Sequence, residues 1–193
     1  NVGRFDTETN TGTALGSLAA SGVSSIAGGL AYDPATDSVL LMGVQSAAVY
    51  TMDATTGSVT TLFATPDAWL VGGAVLDGML YGMNELNGTA VAYNLANGDR
   101  AVSAGRLPFH VHGVGVDPSA AQLYIARNPQ GGIYRLNDDG TLGDVVVDNV
   151  DGVDGVQVED LDYFGGDFLI ATHDSVRLVD GATGAGSVFL DRA

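Results

Sequence analysis

Three histidines, three glutamates and a long series of aspartates carry most of the reactive chemistry in this 193-residue chain. His110 and His112 form an H-x-H pair. On a strand, residues two apart share a face, so both imidazoles can grip one metal ion if a third ligand joins them. His112 can equally serve as a plain hydrogen-bond partner for a neighbouring strand. Glu159-Asp160, Glu85 and His173 add candidate ligands or acid–base groups, against the simpler reading that they are solvated side chains. Trp69, the only tryptophan, is read first as a packing residue because of the apolar area it buries, and second as a sugar platform. Asp148, Asp151 and Asp154 lie in the run DNVDGVD. Spaced carboxylates with glycine suit Ca²⁺, a hard cation that takes oxygen ligands. The spacing is not that of an EF-hand, and a solvated loop is the competing reading. Ca²⁺ or another divalent cation is the one cofactor for which the sequence offers a place. A phosphate-cradling glycine loop and a G-x-S-x-G nucleophile elbow are both missing, so Ser/His/Asp catalysis has no support.

These residues are set in a repeat. The clearest copy runs from His110 to Gly140. Val114 to Val116 reads as a short strand ended by Asp117-Pro118, a turn-opening pair. Leu123-Tyr124-Ile125-Ala126 is an unbroken apolar run, which predicts a strand buried on both faces. Arg127 to Gly132 is loop by composition, and Ile133-Tyr134-Arg135-Leu136 is a third strand closed by the Asp139-Gly140 turn. Leu142 to Val147 is the fourth. Further copies open at Gly28, Gly72 and Glu159, so the openings recur every 40 to 47 residues. Four strands at this period predict radial repetition of four-stranded sheets. At the start of the chain, Val2 to Asp6 and Ala14 to Leu18 match only a third and fourth strand.

The expected fold is therefore all-β: a β-propeller of four complete blades (28–71, 72–111, 112–158 and 159–193) plus an N-terminal half-blade (1–27), about five blades in one domain. The length suits one such domain, and 46% hydrophobic residues argue against disorder. A supply of 28 glycines suits many turns. The net charge of −16 makes nucleic acid and anionic membranes improbable partners. All but three of the 23 acidic residues are Asp, whose ordinary role is to cap turns. Every basic residue is Arg, a bias that fits a salt-adapted source. There is no cysteine, hence no disulfide or thiolate metal site, and no apolar run long enough for a membrane span. The first residue is Asn1, which reads as processing from a longer precursor. Asn87-Gly88-Thr89 has the form of a glycosylation sequon.

Gly29-Leu30-Ala31-Tyr32-Asp33-Pro34 and Gly113-Val114-Gly115-Val116-Asp117-Pro118, each followed by an apolar second strand, resemble the blades of bacterial NHL and YVTN repeat propellers. In that family the loop entering each inner strand and the loop between the second and third strands gather on one side, around the axis. The resemblance thus implies a mouth to which His110, His112, Glu159, Asp160, His173, Glu85, Asn128 and Arg127 converge, with Trp69 and Phe109-His110 just before two of the inner strands. It is silent on activity, because such propellers host enzymes, binders and scaffolds alike. Glycines at two of the four axial openings favour a non-enzymatic, secreted or cell-surface binding or structural module with a protein or carbohydrate partner. The alternative is a metal-dependent hydrolase or lyase like the lactonase and amidating-lyase propellers, with its site at the mouth.

Overall fold

Backbone meets backbone at the centre of this molecule, and glycine is what allows it. The computed structural model describes residues 2–6, 9, 11–16, 28–43, 47–151, 153, 155 and 157–191. Among these the structure is all-β, without helix. Four four-stranded antiparallel sheets form a four-bladed β-propeller. The blades are β3–β6 (Gly29–Asp33, Ser38–Met42, Ala48–Asp53, Val59–Ala64), β7–β10 (Leu70–Leu76, Met79–Asn84, Thr89–Asn94, Arg100–Arg106), β11–β14 (His110–Asp117, Gln122–Asn128, Ile133–Leu136, Leu142–Val147) and β15–β18 (Val158–Phe164, Asp167–Thr172, Ser175–Val179, Gly186–Asp191). In each blade the strands pair in chain order, so the first is innermost. Strands β1 (Val2–Asp6) and β2 (Thr11–Gly16) pair with each other as a two-stranded sheet.

The inner strands pack in the order β3, β7, β11, β15. A Cβ added at Gly29 would lie 2.6 Å from the Gly72 nitrogen, one at Gly72 2.2 Å from the His112 carbonyl oxygen, and one at Gly113 2.3 Å from the Leu161 nitrogen. No side chain fits such gaps. At Gly28 the Leu70 carbonyl is nearer still, 1.6 Å from an added Cβ. The glycines at Gly28 and Gly72 therefore follow from the convergence of inner strands, rather than marking an axis emptied of function.

Between blades the second and third strands supply the core. Leu40, Met42 and Val49 meet Leu80, Val91 and Tyr93 across the first interface. Tyr81, Met83 and Ala92 meet Leu123, Ile125 and Leu136 across the second. Tyr124, Ala126 and Ile133 meet Leu161, Phe168 and Ile170 across the third. The run Leu123–Ala126 is buried throughout, as an unbroken apolar strand between two blades must be. Each such Leu, Ile or Phe contributes about 1.5–3 kcal/mol by leaving water. The turns are held by aspartates. Asp33 accepts from the Ala35 amide (3.0 Å) and the Thr36 hydroxyl (2.6 Å), and Asp180 accepts from the Thr183 amide and hydroxyl (both 2.7 Å).

Candidate functional site

Three inner strands break register near their starts, between Val71 and Ala74, Val111 and Val114, and Val158 and Asp160. A bulge of this kind bends the strand and re-aims one side chain. Gly72 sits in the first with φ +58°, while His112 and Glu159 sit in the second and third.

His112 is half-buried, and two of the chain's three glutamates flank it. Its Nε2 lies 3.6 Å from Glu85 Oε1 and its Nδ1 lies 4.0 Å from Glu159 Oε2. Gln157 Nε2 stands 3.5 Å from the same Nδ1. Glu85 is brought to the imidazole by the turn after β8, and its amide donates to the Trp69 carbonyl at 2.9 Å. A histidine between two carboxylates can hold a proton, accept one, or present a negative rim to a donor. Beside it runs a groove of about 340 Å³ lined by Glu85, Leu86, Arg106, Pro108, Phe109 and His110. Glu85 thus borders both the imidazole and the groove.

The other expected residues go elsewhere. Asn128 is buried, and its amide spans the Val158 backbone: Nδ2 donates to the carbonyl at 3.4 Å and Oδ1 accepts from the amide at 3.3 Å. It joins the third blade to the fourth. The end of β8 shows the same economy. Asn84 donates to the buried Asp67 at 2.9 Å, and Asp67 also takes the Tyr93 hydroxyl and lies 3.1 Å from Arg100 Nε. Arg127 has its guanidinium carbon 5.7 Å from the Phe109 ring centroid, and its buried Nε lacks a hydrogen-bond partner. His173 is exposed on the turn between β16 and β17, with no described contact to His112. Trp69 is half-buried with φ +62° and acts at this site through its carbonyl. His110 lines the groove.

Asp148 and Asp151 are exposed, and Asp154 lies outside the described residues. Their loop is anchored by Val150 and Val153, both fully buried in the third interface. Among the described residues, no three His, Asp or Glu side chains gather closely enough to hold a metal ion. Gln157 had no motif to mark it. It reaches His112 only because β15 packs on β11.

No family model and no curated protein matches the chain. Its fold does match solved structures. One is a chain in the crystal structure of a nidogen/laminin complex, with TM-score 0.66, 17% identity, and coverage of 93% of this chain and 67% of that one. Another is the glutaminyl cyclase of Myxococcus xanthus, with TM-score 0.66, 17% identity, and coverage of 84% and 69%. A third is a catalytically inactive virginiamycin B lyase from Staphylococcus aureus with quinupristin, at TM-score 0.54 and 12% identity, covering 74% of this chain and 47% of that one. At these identities the likeness is one of fold. No helix among the described residues is long and apolar enough to cross a membrane.

Proposed function

We propose that this chain is a non-enzymatic binding propeller, a secreted or cell-surface module of the NHL/YVTN type, whose mouth engages a protein or carbohydrate partner. The observation that carries the reading is the pair of glutamates on either side of His112, continuous with the groove along Leu86, Pro108 and Phe109. Paired carboxylates beside an apolar groove suit a partner that offers a cationic or hydrogen-bond-donating group on an apolar stem. The fold neighbours include a protein of a nidogen/laminin complex, which keeps protein binding in view. Ca²⁺ or another divalent cation at Asp148, Asp151 and Asp154 is a separate proposal, tested by whether a chelator lowers the melting temperature.

A second reading is favoured by the same carboxylate–imidazole contacts, which also describe an acid–base centre, and by two enzymes among the neighbours. It is a hydrolase or lyase with His112 as base. Thermal-shift screening of Arg- and Lys-containing peptides, neutral oligosaccharides, lactones and esters tests both. The binding reading expects a peptide or sugar that raises the melting temperature, loses that effect in Glu85→Gln/Glu159→Gln, and emerges unchanged. Turnover of any ester or lactone that disappears in His112→Ala would overturn it in favour of the enzyme.

A further inference from the structure

The four inner strands align through the pairs Tyr32↔Val39, Val75↔Leu80, Val116↔Leu123 and Tyr163↔Phe168, each the last pair but one before the first turn of its blade. One residue earlier stand Ala31, Ala74, Gly115 and Asp162. Three residues earlier stand Gly29, Gly72, Gly113 and Asp160. Gly29, Gly72, Gly113 and Gly115 face the next inner strand, which leaves an added Cβ between 2.2 and 3.1 Å from its nearest atom there. In β15 both positions carry carboxylates.

Both aspartates instead line an axial cavity of about 490 Å³ to which all four inner strands contribute. Its walls are Leu30 and Tyr32 of β3, Val75 of β7, Val116 of β11 and Tyr163 of β15, and Asp160 and Asp162 are its charged lining residues. Leu30 and Tyr32 are each more than half exposed, so the apolar wall is wet. Asp160 is half-buried and Asp162 exposed. Asp160 accepts from the adjacent Leu161 amide at 2.9 Å and Asp162 from the adjacent Tyr163 amide at 2.8 Å, and neither forms an ion pair among the described residues. Desolvation pushes the Asp160 carboxyl up to about 7 and raises Asp162 as well. A withdrawn carboxylate without a counter-charge is costly, and a cation entering the cavity removes that cost.

We propose that the axial cavity binds an organic ammonium ion on an apolar body, the ammonium between Asp160 and Asp162 and the body against Leu30, Tyr32, Val75 and Val116. A metal ion is a poorer occupant, because two carboxylates facing aliphatic side chains leave most of its coordination shell unfilled. The cavity lining excludes His112, Glu85 and Glu159, so the inference stands apart from the mouth.

The test is calorimetric titration of the whole protein with n-hexylammonium chloride, with n-hexanol as the neutral isostere. At about pH 8 hexylammonium should bind saturably at one site, at least tenfold more tightly than hexanol, since a charge pair withdrawn from water discriminates by about that factor. Asp160→Asn should remove that preference, and Asp162→Asn, at the more open carboxyl, should reduce it. At about pH 5 the wild-type affinity should fall several-fold as Asp160 takes up a proton. The titratable groups facing Asp160 are Asp162 and Tyr163 of β15 and Tyr32 of β3. The cavity-lining residues of β7 and β11 contribute none. Equal affinity for hexanol, or an unchanged preference in a folded Asp160→Asn, would overturn the assignment. So would loss of binding in Glu85→Gln, which would move the ammonium to the mouth.

Discussion

Asp53, Asp139 and Asp180 lie at or within the turns between outer strands, each accepting two or three donors from its own turn. Those bonds hold their carboxyls below the usual range, led by the Thr56 amide at Asp53 and by the Thr141 and Thr183 hydroxyls at Asp139 and Asp180. Asp160 and Asp162 lie within a strand, keep one local backbone donor each, and are pushed the other way by desolvation. The same side chain thus serves the fold in one region and works against it in the other. Turn aspartates satisfy backbone amides that would otherwise go unpaired. The β15 aspartates occupy places that the other inner strands reserve for Gly and Ala. A residue that costs stability while its neighbours' equivalents support packing is where a binding role is to be sought.

The largest expected effect lies on the packing side of this contrast. Gly113→Val places side-chain atoms where a Cβ alone would meet Leu161 at 2.3 Å. The strands must separate, and a loss of about 3 kcal/mol or more is expected, read as a collapse of the cooperative thermal transition. A variant that melted like the wild type would break the account of the centre.

The second effect is one of pH. The folded Asp160 carboxyl lies above its unfolded value, so the folded state binds the additional proton between about pH 4 and 7 and stability declines as pH rises through that window. Asp160→Asn should flatten the slope and raise the melting temperature by about 2–6 °C near pH 8. Comparing the two proteins removes the relief of general charge repulsion, which both share.

Asp180→Ala sharpens the contrast from the other side, with a smaller loss and the opposite sign. A lowered carboxyl contributes stability above its unfolded value, and that contribution disappears as pH falls through the folded one. The variant should therefore be less stable than the wild type at neutral pH and converge with it in acid, checked by parallel melts. Smallest of all, Glu85→Gln should leave the melting temperature nearly unchanged, since the side chain is only half-buried and its contact with His112 is long.

The blades, their order and the turn role of aspartate were legible in the sequence because a repeat shows its packing demands several times over. His112 and Glu159 were legible as departures at equivalent positions, and the register breaks at Val111 and Val158 show how they are aimed. Asn128 was not, because its target is a backbone thirty residues away, and a backbone leaves no trace in residue types. Gln157 was hidden for the same reason, as it depends on how two blades meet. The meaning of Asp160 and Asp162 emerged only once close approach explained Gly29, Gly72 and Gly113. Before that, a glycine on an inner strand looked like an absence of function.

The most direct test restores to β15 the pattern of its neighbours. Asp160→Gly/Asp162→Ala is melted beside the wild type, with and without saturating n-hexylammonium at about pH 8. The account predicts that the double variant melts higher than the wild type when both are free, and that only the wild type rises on adding the ammonium. A double variant that melts lower, or that gains as much from the ammonium as the wild type does, would contradict it.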